Sequence, residues 1–173
     1  MQETETNKNY FIGAIGAILG ALIGAAPWAV AYSFGWFVGW LGFLIGICAV
    51  KGYNIFRGKK GMPAVLIIIL SIILGVIAGQ VLGDILNIVK YINNGEIEGV
   101  SLSGIPNLYL YVLLNDSEFF ASFLGNFALG LLFAGLGVWK LLTNMISELK
   151  PQKPEVLEEP IENIETEIVE EKK

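Results

Sequence analysis

Residues 10–50 decide the fold, and they read YFIGAIGAILGALIGAAPWAVAYSFGWFVGWLGFLIGICAV. The stretch contains no Asp, Glu, Lys or Arg. As one α-helix it would be about 60 Å long, roughly twice the thickness of the hydrocarbon core of a bilayer. It therefore predicts two membrane-spanning helices, at about 10–30 and 34–52. Pro27 and residues 32–35 are the expected breakers between them.

Small residues recur three or four positions apart in this stretch and in the next apolar run. In water each helical glycine costs roughly 1 kcal/mol relative to alanine, whereas in lipid small residues at this spacing let helix backbones approach closely. The pattern therefore predicts tightly packed transmembrane helices. The candidate packing residues are Gly16, Gly20, Gly24, Gly35, Gly39, Gly42, Gly46, Ser71, Gly75, Gly79 and Gly83.

These stripes fit two arrangements. In the first, the spans of one chain pack against each other. In the second, Gly39, Gly42 and Gly46 satisfy the packing of the first hairpin, and a second copy of the chain docks on the face made by Gly16, Gly20 and Gly24. A glycine face of this kind is a known way to form a membrane-helix dimer.

Two further spans follow. Pro63 suits the first turn of a helix, and the third span is predicted at about 63–91, ending before the turn signal Asn94–Gly95. The fourth span is predicted at about 119–139. The connection 93–118 contains an apolar run, 106–114, that is too short to cross a membrane. We expect this run to form a short helix lying on the outer face, and a re-entrant segment is the alternative.

The basic residues predict the orientation, because Lys and Arg mark the cytoplasmic side of a membrane. The connection between spans two and three carries Lys51, Arg57, Lys59 and Lys60 and no acid. The connection between spans three and four is acidic. A multi-pass protein of the plasma (inner) membrane with both termini in the cytoplasm satisfies this pattern.

The ends of the chain lie outside the predicted 10–145 transmembrane domain. Residues 1–9 form a short cytoplasmic N-terminus. Residues 146–173 form an acidic cytoplasmic tail, and the stretch 150–173 alone holds eight of the sixteen acids. Disorder is expected for such a composition. A heptad-like stripe nevertheless offers a helical face to a tail partner, through Leu157, Ile161, Ile164 and Ile168.

Composition excludes several kinds of function. The net charge of −5 argues against nucleic-acid binding, which needs a basic face. The chain has no histidine and a single cysteine, Cys48, so histidine-based catalysis and a multi-cysteine metal site are excluded. No nucleophile–base pair or paired carboxylates occur within the spans. We therefore expect no enzyme, no cofactor and no metal centre.

The polar residues of the third and fourth spans are the candidates for a binding site. Gln80, Asp84 and Asn87 are four and three residues apart and share one helical face. Asp84 is expected to be a solvated residue at the outer boundary, with a cation or proton site as the alternative. Asn126 is the strongly polar residue of the fourth span, and a hydrogen bond between Gln80 and Asn126 is predicted to join the two spans.

Two functions remain open for this all-α, four-span membrane protein. The first is a non-enzymatic scaffold or subunit of a membrane complex, which acts through glycine-mediated helix packing with a membrane-protein partner or as a homo-oligomer. The second is a small oligomeric transporter or channel with a polar outer vestibule at Gln80, Asp84 and Asn126. Because a transporter needs a polar path to the midplane and the span centres are apolar, the sequence favours the first.

Overall fold

The computed structural model describes residues 9–36 and 39–147, and all regular structure in these ranges is helical. The five α-helices are α1 (Tyr10–Ser33), α2 (Gly42–Ile55), α3 (Met62–Asn93), α4 (Ile105–Asn115) and α5 (Ser117–Ser147). Three of them, α1, α3 and α5, are long and apolar enough to cross a membrane. Two short 3-10 turns, at Gly39–Leu41 and Leu102–Gly104, precede α2 and α4.

The boundaries of the second predicted span are wrong. Pro27 lies inside α1 without breaking it, and α1 continues to Ser33. The chain then turns at Gly35, whose φ of +75° is a left-handed conformation that favours glycine. As a result, α2 begins at Gly42 and has 14 residues. Its length of about 21 Å is shorter than a hydrocarbon core of roughly 30 Å.

The other helix ends follow local signals in the sequence. The side chain of Asn9 accepts a hydrogen bond from the backbone N–H of Phe11 and so caps α1. The predicted turn at Asn94–Gly95 is confirmed, with Gly95 at φ +74°. Asp116 caps α5, since one carboxylate oxygen accepts from the backbone N–H groups of Glu118 and Phe119. The short helix predicted at 106–114 is present as α4.

One face of α1 packs directly on the backbone of α2. The buried glycines of this face are Gly16, Gly20 and Gly24. Gly16 approaches Gly52 while Gly24 approaches Ile45, so the two helices are antiparallel. A Cβ atom at Gly20 would overlap the carbonyl oxygen of Cys48. Because α2 covers this face within the chain, the alternative in which a second copy docks on it is wrong.

A second face of α1 packs on α3. Its alanines are buried, namely Ala17, Ala21 and Ala25. A Cβ atom built on Gly75 would lie 2.9 Å from Cβ of Ala21, and one built on Gly83 would lie 2.8 Å from the ring of Tyr32. The contacts advance in the same direction along both helices, so α1 and α3 are parallel.

The last helix, α5, packs on α2 and α3 at the corner of the bundle opposite α1. Gly42 lies against the carbonyl group of Gly130, and a Cβ atom on Gly46 would lie 2.9 Å from the carbonyl oxygen of Ala134. Gly42 and Gly46 therefore contact α5 instead of α1, and α2 runs parallel to α5. The four helices α1, α2, α3 and α5 alternate in direction, as in an up-down-up-down bundle.

The remaining predictions concern two small residues, Ser71 and Gly35, and the segments that the structure does not describe. Ser71 is buried and its hydroxyl donates to the carbonyl of Ile67 at 2.8 Å. Gly35 is a turn residue with no atom within 4 Å of a Cβ built on it. The N-terminal residues 1–8, the surroundings of Gly39 and the predicted tail, with the stripe Leu157, Ile161, Ile164 and Ile168, lie outside the described residues.

Candidate functional site

The polar residues of α3 lie near the end of the bundle that α4 covers. Gln80 and Asp84 are one helical turn apart and are only 1% and 4% exposed. Asn87 follows on the same helix and is half-buried. It takes part in none of the side-chain hydrogen bonds found among residues 9–36 and 39–147. The structure therefore joins Gln80 and Asp84 in one buried site and leaves Asn87 at its edge.

The prediction that Asp84 is a solvated boundary residue is wrong. The cause is α4, which packs on both α3 and α5 and buries its own Ile105 and Tyr109. The rings of Tyr109 and Phe119 meet edge to face, with centroids 6.1 Å apart, and this contact helps to hold α4 against α5. An acidic side chain that the sequence places at a helix end is thereby enclosed by protein.

Four side chains from three helices form what we call the Asp84 cluster, namely Asp84, Gln80, Tyr32 and Tyr109. Tyr32 comes from α1, Gln80 from α3 and Tyr109 from α4, and all three face the Asp84 carboxylate. Three oxygens of the cluster are buried and have no hydrogen-bond partner among the described residues: Gln80 Oε1, Asp84 Oδ2 and Tyr109 Oη. Since buried polar atoms are nearly always hydrogen-bonded, three such oxygens together are exceptional.

Tyr109 stays neutral in this setting. Its burial and the nearby negative charge of Asp84 raise the pKa of Tyr109 to about 12 from the ordinary value of 10.0. A tyrosine with this pKa keeps its proton throughout the physiological range. Its hydroxyl therefore faces Asp84 as a group that can donate a hydrogen bond or contribute a neutral oxygen lone pair.

The predicted hydrogen bond between Gln80 and Asn126 is not present. The side-chain amide of Asn126 instead donates to the hydroxyl of Tyr32 at 3.4 Å. Gln80 Oε1 has no partner among the described residues. Asn126 is thus linked to the Asp84 cluster through Tyr32, so α5 contacts the site by way of α1.

Sequence reasoning missed two members of the cluster. Trp28, Tyr32 and Trp36 form a pattern that is typical of a membrane interface, where aromatic side chains settle. Trp36 is 70% exposed, but Trp28 is buried in the core, where its ring lies against Gly130. Tyr109 lies in a run that the sequence marks only as apolar. The local signal for both tyrosines is weak, since it is their contact with α3, far away in sequence, that defines their role.

The chemistry of the Asp84 cluster is that of one negative charge among neutral oxygens. Its members supply a carboxylate, a carboxamide oxygen and two phenolic hydroxyls. None of the described basic side chains pairs with Asp84. Within the described residues no three His, Cys, Asp or Glu side chains come together in a way that could hold a metal ion. The arrangement can bind a positively charged or hydrogen-bond-donating group.

Comparison with known proteins finds no relative whose residues could be compared with the Asp84 cluster. No protein-family model matches the chain, and neither the curated proteins nor the solved structures include a significant match.

Proposed function

We propose that this chain is a small membrane protein with four crossing segments and that it serves as a non-enzymatic scaffold or subunit of a membrane complex. The fourth crossing is supported by helix direction. Because α1 and α3 are parallel and only α2 lies between them in the chain, α2 has to return the chain across the bilayer. Its 14 residues together with the 3-10 turn Gly39–Leu41 span about 27 Å.

The basic residues support an orientation for this bundle. Arg57, Lys59 and Lys60 follow α2 directly, in the connection that leads to α3. By the positive-inside rule this connection faces the cytoplasm of the plasma (inner) membrane, and both termini then lie on the same side. The same charges suit contact with anionic lipid headgroups. The end of the bundle that carries α4 and the Asp84 cluster then faces outward.

Glycine-mediated packing is the proposed means by which the bundle holds together. In lipid no hydrophobic effect drives helices together, so close backbone contact has to supply the attraction. The contacts at Gly20, Gly24, Gly42 and Gly75 are backbone-to-backbone or backbone-to-methyl contacts of this kind. A scaffold built in this way has few polar groups in its interior and presents its surface to partners.

The observation that carries the proposal is an unused glycine face on α5. Gly125 and Gly135 are the two glycines in the described α-helices that have no atom within 4 Å of a Cβ built on them. Both lie on the exposed side of the helix, whereas Gly130 and Ala134 of the same helix are buried. This side is lined by exposed small residues, namely Ala121, Gly125, Ala128 and Gly135. We call it the α5 open face.

A glycine weakens a helix by roughly 1 kcal/mol relative to alanine, so its presence in a helix calls for a compensating contact. Every other glycine of the described α-helices meets a neighbouring helix or loop. By the same rule the α5 open face should meet a helix from outside the chain, supplied by another membrane protein or by a second copy. An apolar groove of about 270 Å³ between α3 and α5 adjoins Gly135 and would receive a bulky side chain of that partner.

Two bulky substitutions and a matched control test this proposal. Gly125→Leu and Gly135→Leu should leave the fold intact, because each added side chain enters open space. Both should abolish the complex or oligomer recovered in mild detergent. Ala26→Leu adds the same bulk at an exposed small residue of α1 and should have no effect. An unchanged assembly with both α5 variants would reject the α5 open face as a docking site.

A second candidate function, transport, is favoured by the Asp84 cluster. An ionisable side chain inside a membrane protein marks a substrate or ion pathway by default. Against it, the bundle centre is filled by apolar and small residues, and its buried serine, Ser71, is bonded to its own helix. Flux into liposomes separates the two functions. Selective flux that is lost in Gln80→Ala and Asp84→Ala would establish a transporter, and its absence supports the scaffold.

A further inference from the structure

The Asp84 carboxylate is enclosed by protein, and no basic side chain of residues 9–36 and 39–147 pairs with it. Its side chain is 4% exposed, and one of its oxygens has no hydrogen-bond partner among the described residues. Burial of a carboxylate is costly unless the charge is paired or neutralised. An ionised Asp84 that the described residues do not pair requires a positive charge from beyond those residues.

The neighbours of Asp84 are suited to complete a shell around a cation. Gln80 Oε1 and Tyr109 Oη are buried oxygens without a hydrogen-bond partner among the described residues, and both belong to side chains that interact with the Asp84 carboxylate. Tyr32 adds a third neutral oxygen from the opposite helix. Hard cations prefer oxygen ligands such as carboxylates and carbonyls, and they have no need of nitrogen or sulfur.

The charge of the site selects the class of cation. A single carboxylate balances one positive charge, and the other donors are neutral. Protein sites for divalent ions such as Ca²⁺ usually combine several carboxylates. Among the described residues no three His, Cys, Asp or Glu side chains come together in this way, so Asp84 is not part of such a set. The enclosed position under α4 also favours a bare ion over a larger organic cation.

We propose that the Asp84 cluster is a binding site for a monovalent alkali cation, with Na⁺ held by the Asp84 carboxylate, Gln80 Oε1 and the hydroxyls of Tyr109 and Tyr32. The bound ion neutralises the buried carboxylate and ties α1, α3 and α4 together at one point. The site does not depend on the α5 open face, so the failure of either proposal leaves the other standing.

The test is direct Na⁺ binding to the full-length protein, purified in mild detergent in a buffer whose only cation is N-methyl-D-glucamine. Titration calorimetry with NaCl, at constant ionic strength, should show saturable binding of one ion per chain. In Asp84→Asn the affinity for Na⁺ should fall by more than about tenfold. Even the loss of a residue that only positions a metal ligand lowers metal affinity by roughly 10–100-fold. Glu98→Gln, which removes an exposed acid from the same end of the bundle, should bind as the wild type does.

A second pair of variants covers the case in which Asp84→Asn does not fold. Tyr109→Phe deletes one oxygen of the cluster and keeps the ring. It should weaken Na⁺ binding several-fold, whereas Tyr111→Phe, at a tyrosine of the same helix that is 67% exposed, should not. The proposal is overturned if the wild type shows no saturable Na⁺ binding, as expected for a protonated Asp84, or if Tyr109→Phe binds Na⁺ unchanged. Binding of an alkylammonium ion in place of Na⁺ would overturn it as well.

Discussion

Alanine substitution at three glycines should produce a graded change in stability that follows the space around each residue. A Cβ atom on Gly24 would lie 2.8 Å from the backbone Cα of Ile45 in α2. One on Gly79 would lie 3.3 Å from the Cβ of Ala25 in α1. One on Gly125 meets no atom within 4 Å. The added methyl group is the same in all three variants, and only its surroundings differ.

The magnitudes follow from these distances. Carbon atoms in optimal contact are about 3.5–4.0 Å apart, so Gly24→Ala forces α1 and α2 apart locally by roughly 0.7 Å or more. Overpacking of this kind costs about 1–3 kcal/mol, and the gain in helix propensity returns at most about 1 kcal/mol. We expect a net loss of about 1–2 kcal/mol for Gly24→Ala. Gly79→Ala should be close to neutral, and Gly125→Ala should gain up to about 1 kcal/mol.

The assay is reversible unfolding of the purified protein in mixed micelles of mild detergent and SDS, followed by far-ultraviolet circular dichroism. The order of stability should be Gly125→Ala, then Gly79→Ala, then Gly24→Ala. The reasoning is refuted if Gly24→Ala is as stable as the wild type or if Gly125→Ala is destabilised as much as Gly24→Ala. In the first case the backbones are not in the close contact described, and in the second the open side of α5 is not open.

Three further predictions concern the Asp84 cluster. In Na⁺-free buffer Asp84→Asn should be at least as stable as the wild type, because it removes a buried charge. At a Na⁺ concentration of a hundredfold the wild-type Kd, the wild type should gain about 2.7 kcal/mol in a thermal or SDS titration, and Asp84→Asn should gain less than about 1.4 kcal/mol. A double-mutant cycle of Tyr32→Phe with Asn126→Ala should show a coupling of about 0.6 kcal/mol from their hydrogen bond. The cycle of Gln80→Ala with Asn126→Ala should show a smaller coupling, because these two residues are linked only through Tyr32. Because the pKa of Tyr109 is raised from 10.0 to about 12 in the folded state, its contribution to stability should be complete below about pH 10 and lost as the pH rises to about 12. Tyr109→Phe should flatten this alkaline loss of stability and Tyr111→Phe should not.

The elements with strong local signals are the ones that the sequence predicts well. The twenty-residue uncharged run after Pro63 and the turn at Asn94–Gly95 set both ends of α3 to within two residues. The sequence misplaces the boundary between the first two predicted spans, because Pro27 predicts a helix break and α1 continues through it. A transmembrane helix tolerates a proline when neighbouring groups satisfy the freed carbonyl, and that is a tertiary property.

The glycine stripes show a second limit of prediction from the sequence, which concerns the pairing of helices. Their spacing predicts that helix backbones come close, but it does not say which helices meet. Gly16, Gly20 and Gly24 meet α2, while Gly42 and Gly46 meet α5. The reverse assignment, in which the glycines of α2 face α1, satisfied the sequence equally well. Only the three-dimensional arrangement chooses between them.

The site was predicted in part. The spacing of Gln80 and Asp84 on one helical face is a sequence property, and their pairing follows from it. The burial of Asp84 does not, because it depends on α4 folding back across α3 and α5. The participation of Tyr32 and Tyr109 likewise comes from contacts between residues distant in the chain. Contacts of this kind produce no periodic pattern in a single sequence from which they could be predicted.

The central claim is that α2 crosses the membrane although it has only 14 residues. Single cysteines in a Cys48→Ala background test it, with a membrane-impermeant maleimide applied to intact spheroplasts. Trp36→Cys and Glu98→Cys lie at the proposed outer end and should react at once. Lys59→Cys, in the connection between α2 and α3, should react only after the membrane is permeabilised. Equal labelling of Trp36→Cys and Lys59→Cys from one side would place both ends of α2 on the same side and contradict the four-crossing bundle.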